Sequence, residues 1–202
     1  SASRRSQMWF PLVIASTLAV GSVTVLAAAT DLQSVAINVF GVSLAVSVFP
    51  LFSQAFADKD HGTFVAVFSR SVRRLIVLLV PVAVLLILLR AQLVRVLFGF
   101  GNFDWEDTIL IAQALGILAL ALPAQGLAPV FARAFYAVQD TRTPVVIAVV
   151  SVAVNITLAL VLRQSLGILG LATAFTVANL LQPLLLYLAL RHRVGDLAEG
   201  PL

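Results

Sequence analysis

The chain has 202 residues, of which 61% are hydrophobic and only 11% charged, and its mean hydropathy is +1.07. Soluble domains carry roughly 25% charged residues, so a water-soluble globular fold is excluded and an integral membrane protein is expected. The net charge of +4 comes from bases at the ends of apolar runs, which mark membrane topology and not a phosphate-binding stripe, so nucleic acid is not an expected partner.

No alternating ten-residue pattern of a membrane β-barrel occurs, so the spans are expected to be helices and the fold class all-α, a polytopic membrane helix bundle. The chain opens with Ser1, which reads as a piece of a longer protein. Arg4-Arg5 followed by residues 8–20 mimics a signal peptide, but equally apolar runs follow.

Between Arg5 and Asp58 the only charged residue is Asp31. A single helix over that stretch would far exceed the roughly 30 Å hydrocarbon core, so the chain must turn inside it. A turn at Val20-Gly21-Ser22 leaves a short span followed by a long helix from Ser22 to about Ala57. A turn at residues 30–34 instead gives two ordinary spans and puts Asp31 in a loop.

The later elements follow in order. Arg73 and Arg74 lead into a span over residues 72–90 with a kink expected at Pro81. Residues 90–101 read as an interfacial connection ending in Gly99-Phe100-Gly101. Asp104 is the expected N-cap of a helix over residues 105–138, with Trp105 in the interfacial aromatic belt. A polar turn through Gln139, Asp140 and Arg142 precedes Pro144, which suits the first turn of a span over residues 144–163. The last span covers residues 167–190.

With spans also over residues 8–19 and 22–57, six crossings are expected. They put ten of the bases on one side and Arg90, Arg95 and Arg163 on the other. By the positive-inside rule both ends of the chain should be cytoplasmic.

If the long helix holds, Thr24, Asp31, Ser34, Asn38, Gly41 and Ala45 share one helix face. Such a stripe either lines a hydrophilic cavity or packs closely on a neighbouring helix. An intramembrane carboxylate tips it toward a cavity, so Asp31, Thr24, Ser34 and Asn38 are the substrate-cavity candidates. Gln113, Gln125, Asn155, Asn179 and Gln182 read as interhelical hydrogen bonders. There are no cysteines, His61 and His192 lie in polar connections, and no catalytic motif occurs, so no metal, cofactor or enzymatic activity is expected.

Three passages carry a recognisable pattern: Ala132-Arg133-Ala134-Phe135-Tyr136-Ala137-Val138-Gln139-Asp140-Thr141-Arg142-Thr143-Pro144; Phe40-Gly41-Val42-Ser43-Leu44-Ala45-Val46-Ser47-Val48-Phe49-Pro50-Leu51-Phe52-Ser53; and Leu97-Phe98-Gly99 with Gly101, Phe103 and Asp107. Together they resemble the lipid II flippase family of bacterial cell-wall synthesis, the MurJ/MviN group of the multidrug, oligosaccharidyl-lipid and polysaccharide exporter superfamily. The resemblance runs from about Ala15 to Arg193 and is to the second six-helix lobe of a two-lobe flippase, with the first helix of that lobe truncated.

The resemblance implies alternating access in the bacterial cytoplasmic membrane, with a lipid-linked head group as substrate and the N-terminal lobe and membrane lipids as partners. It also favours the turn at Gly21-Ser22 over the one at residues 30–34. Gln139, Asp140, Arg142 and Pro144 fall in its cytoplasmic-loop motif.

One position departs from the family. The resemblance implies a cavity-facing arginine in an Ala-Asp-Arg tripeptide where this chain has Ala29-Thr30-Asp31, and a carboxylate there would repel a pyrophosphate. An exporter of another polyprenyl-linked glycan or amphipathic compound is therefore the alternative cargo reading, and a non-transporting scaffold for cell-wall enzymes is the alternative from another class.

Overall fold

The computed structural model describes residues 22–38, 50, 52–54, 57–58, 61–98 and 105–194. The span expected over residues 8–19, most of the 40–53 motif and the 99–104 turn, with the Asp104 cap, lie outside the described residues. Every element among the described residues is a helix: α1 (Ser22–Ala36), α2 (His61–Phe98), α3 (Trp105–Leu120), α4 (Leu122–Ala137), α5 (Arg142–Leu166) and α6 (Ile168–Val194). Three are long and apolar enough to cross a membrane, within α2, α5 and α6, and α3 with α4 makes a fourth if the bent pair is one span.

Helix α1 runs without interruption through residues 30–34, so no turn falls there and Asp31 is helical. Helix α2 begins well before residue 72 and ends well after residue 90. Its 38 residues extend about 57 Å, nearly twice the hydrocarbon thickness. Charges end an apolar run but not a helix: Arg70, Arg73 and Arg74 are exposed on its surface, and no glycine interrupts it between Gly62 and Gly99. Residues 90–98, expected as a connection, are therefore helical, and the helix continues through Pro81.

The helix expected over residues 105–138 is two helices that meet at Ala121 with a bend of 41°. Pro123, at the start of α4, has no N–H to give to the Ala119 carbonyl, and the ladder changes register just before it.

Helices α5 and α6 form an antiparallel hairpin whose single linking residue is Gly167, at φ +55° and ψ −126°. Only glycine visits that conformation without strain. Three residues on, a Cβ at Gly170 would stand 2.5 Å from the Leu162 carbonyl oxygen. Here the absence of a side chain is what lets the two backbones touch.

Helix α6 is the centre of the bundle, packing on α5, α4 and α3, while α2 packs on α3 and α4, and α1 packs chiefly on α3. Helix α5 is peripheral. It buries only Pro144, Ser151 and Ala159 and exposes Val145, Val146, Val149, Val152 and Val161. An apolar ridge of that extent suits contact with lipid chains.

The interior divides into two clusters at opposite ends of the bundle. One is built from large side chains, among them Phe52, Phe64, Phe68, Phe131, Phe135 and Leu190. The other is rich in alanine, with Ala28, Ala29, Ala112, Ala114, Ala172 and Ala174 between Val25, Leu115 and Leu171.

Candidate functional site

The two faces of α1 differ sharply. Val25, Ala29 and Gln33, spaced by four, are buried, whereas Asp31, Val35 and Asn38 point outward. Among the described residues the Asp31 carboxylate has no partner. Ser34, half-buried, donates its hydroxyl to the Asp31 carbonyl at 2.8 Å, and Thr30 donates to the Leu26 and Ala27 carbonyls. The Thr24 side chain lies outside the described residues.

The structure thus brings Asp31 and Asn38 to one outward face with Ser34 at its edge. Residues 37 and 38 form a π-helical turn, which shifts the register of any stripe continued beyond them.

Gln33, on the buried face, was not legible as a site residue because it sits two positions from Asp31 and off the polar stripe. Its signal is the four-residue spacing after Val25 and Ala29. Its side-chain amide donates to the Leu118 carbonyl. One residue earlier along α3, the Ile117 carbonyl accepts from the Thr176 hydroxyl of α6 at 3.0 Å.

Both carbonyls belong to the bent joint. The Ala121 N–H bonds Leu118 at 3.0 Å in place of Ile117, which frees the Ile117 carbonyl for Thr176. In lipid a freed backbone group needs a partner, and neighbouring helices supply one. The break in the α3–α4 span is therefore held from two sides, by α1 and α6.

The turn at residues 138–144 is built with equal economy. Gln139 takes φ +60° and its N–H bonds the Tyr136 carbonyl, while the Asp140 N–H bonds the Phe135 carbonyl at 3.0 Å. That pair is a Schellman motif closing α4, with glutamine in the left-handed position usually held by glycine.

Asp140 then opens α5. Its buried carboxylate accepts from the Arg142 and Thr143 N–H groups, each at 3.1 Å, and from the Thr143 hydroxyl at 2.6 Å. An anion on the first N–H groups of a helix satisfies free donors and complements the positive end of its dipole. Pro144 is buried in the first turn, where it lacks only an N–H that would have no helical partner. Gln139, Asp140, Arg142 and Pro144 thus lie in the joint that closes α4 and opens α5.

Other polar residues depart from their expected roles. Gln113 is exposed, and the Asn179 amide turns back on its own helix, donating to the Phe175 carbonyl at 2.8 Å. Two polar atoms on α4 are enclosed without a hydrogen-bond partner, the Gln125 amide nitrogen and one Arg133 guanidinium nitrogen. Among the described residues no group of three His, Asp or Glu side chains is placed to hold a metal.

Residues 8–200 match the family model described as "Lipid II flippase MurJ". A relative described as "Probable lipid II flippase MurJ", from Rhizobium meliloti (strain 1021), is 36% identical over 173 residues, which is 86% of this chain and 32% of that protein. The chain spans about a third of the length of the curated relatives it matches.

Two solved structures share the fold. A lipid II flippase MurJ in an inward closed conformation superposes with a TM-score of 0.80 at 23% identity, over 90% of this chain and 38% of that one. An inward-facing multidrug resistance MATE family transporter of the MOP superfamily gives 0.83 at 14% identity, over 96% of this chain and 44% of that one. The family match over residues 8–200, nearly the whole chain, places this protein in the lipid II flippase MurJ family.

Proposed function

We propose that this chain is the C-terminal six-helix lobe of a flippase that carries lipid-linked peptidoglycan precursor, lipid II, across the bacterial cytoplasmic membrane. The observation that carries the reading is the family match over residues 8–200, at a third of the relatives' length. The lobe works by rocking against an N-terminal partner lobe around a site near the bilayer midplane.

The outward face of α1 supports this arrangement. An intramembrane carboxylate costs about 2.5–3.5 kcal/mol on insertion scales and normally faces protein or a water-filled path. Asp31 is exposed here, and none of the described helices covers it. We assign its face, with Ser34, Asn38 and Thr24, to the cavity between the lobes. The reading calls for no catalytic residue, since transport needs two arrangements of the lobes and not a covalent step.

Both ends of the chain and the 138–144 turn lie on the cytoplasmic side in this reading, following the ten-to-three distribution of bases. A cysteine placed at Gln139 in a cysteine-free full-length protein should be shielded from an impermeant thiol reagent in intact cells and labelled in inverted vesicles. The reverse pattern would overturn the orientation.

Growth of cells depleted of their lipid II flippase tests the function. The full-length gene should restore growth, and a well-expressed, membrane-inserted product that fails to do so would sink the assignment. A second cargo, another polyprenyl-linked glycan, is favoured by one feature, the carboxylate at Asp31 facing where a diphosphate would pass. Restored export of such a glycan without restored cell-wall growth would select it.

A further inference from the structure

The charge-free part of α2 ends at Arg90, whose side chain does not turn away from the bundle. It lies across α3. A Cβ at Gly116 would stand 2.7 Å from Arg90 Nη1 and 3.1 Å from its Cδ, so the glycine is the seat of the arginine. Gly116 is eight residues along α3 from Thr108, where the apolar span begins, or about 12 Å into it. The guanidinium, at the end of the charge-free stretch of α2, is thus laid against the apolar span of α3, and an ionisable group held there points to a binding site.

The space around it is a groove between α2 and α3. A cavity of about 410 Å³ lined by Arg90, Arg95, Thr108 and Gln113 adjoins one of about 420 Å³ lined by Arg90, Gln113, Gly116 and Leu120. Among the described residues neither arginine has a carboxylate partner. Gln113, exposed, offers an amide to the same space, and Ile87, Leu120 and Leu169 form its apolar border.

We propose that this groove binds the phosphate of an anionic membrane phospholipid. Arg90 and Arg95 take the phosphodiester, Gln113 donates a further hydrogen bond, and the acyl chains run along the apolar border. Guanidinium matches phosphate in charge and in its paired donors, and basic pockets between membrane helices hold anionic head groups. The groove lies on the opposite face of α3 from the carbonyl that α1 engages, since Gly116 and Leu118 are two positions apart on the helix. It is thus distinct from the face assigned to cargo.

The test uses full-length protein in mild detergent, titrated with phosphatidylglycerol and with phosphatidylcholine and read by native mass spectrometry. Wild type should prefer phosphatidylglycerol by about tenfold or more, the worth of one or two charged hydrogen bonds. Arg90→Gln should abolish the preference, and Arg73→Gln, near the other end of the charge-free stretch of α2, should leave it intact.

Gly116→Ala decides the matter should Arg90→Gln fail to fold, because it keeps every charge and displaces only the flexible end of Arg90; it too should weaken the preference. An Arg90→Gln protein that retains the preference would overturn the proposal. So would an equal loss in Arg73→Gln, or a loss of polyprenyl diphosphate binding with phosphatidylglycerol binding unchanged, since the groove would then belong to the cargo.

Discussion

At the end of the bundle near the 138–144 turn, Phe68 of α2 stacks on Phe131 of α4 at 5.3 Å, Phe52 packs on Phe64 and Phe68, and Phe135 joins the same cluster. At the opposite end alanines line α1, α3 and α6, and the helices approach closely enough for Gln33 and Thr176 to reach the backbone of α3. Lipid chains are as apolar as leucine, so burial alone does little to hold helices together in a membrane. The first end gains dispersion contacts from large rings, and the second gains close backbone approach and hydrogen bonds. One end should suffer most from truncation and the other from enlargement.

The largest effect is expected from Phe131→Ala, which empties space against both Phe68 and Tyr187. A loss of about 3–5 kcal/mol is expected, read from denaturant unfolding of the full-length protein in mild micelles. Ala174→Leu, at a fully buried position of the other cluster, should cost about 1–3 kcal/mol by overpacking. If the alanine end accepted leucine without loss, the division between the two ends would fail.

Smaller effects sharpen the comparison. Asp140→Ala removes the acceptor of three hydrogen bonds at the start of α5 and should lower stability by about 1 kcal/mol, with Asp140→Asn intermediate. Gln33→Leu and Thr176→Val should each cost about 0.6 kcal/mol. Their carbonyl acceptors are adjacent, so the double variant should depart from additivity. Strict additivity would mean that the two bonds do not hold one joint.

The sequence made the helices legible because charge-free runs of the right length admit few other readings. Their ends were less legible, and α2 shows why. Arg70, Arg73, Arg90 and Arg95 mark where lipid ends, but a helix can continue into water on its own hydrogen bonds. The α3–α4 break had a visible cause in Pro123, but its position was set by which carbonyls find partners on α1 and α6. Those partners, Gln33 and Thr176, are far from residues 117–118 in the chain and fall on no polar stripe. The seat of Arg90 on Gly116 was hidden for the same reason, since neither residue is unusual until the helices that carry them are side by side. The 139–144 passage was recognisable as a motif, whereas its physical role as a two-helix joint needed the left-handed Gln139 and the buried Asp140 carboxylate.

Val35 and Val149 give the most direct test of the cargo-facing surface, because they are almost equally exposed in this lobe, 62% and 64%, on opposite kinds of face. A cysteine is placed at each in turn in cysteine-free full-length protein, and labelling by a water-soluble maleimide is followed in native membranes. Val35→Cys, one turn from Asp31 on the face assigned to the water-filled cavity, should react and be protected by added lipid II. Val149→Cys, on the lipid-facing ridge of α5, should not react. Equal reactivity at the two sites, or a Val35→Cys that lipid II does not protect, would contradict the assignment of α1 to the transport path.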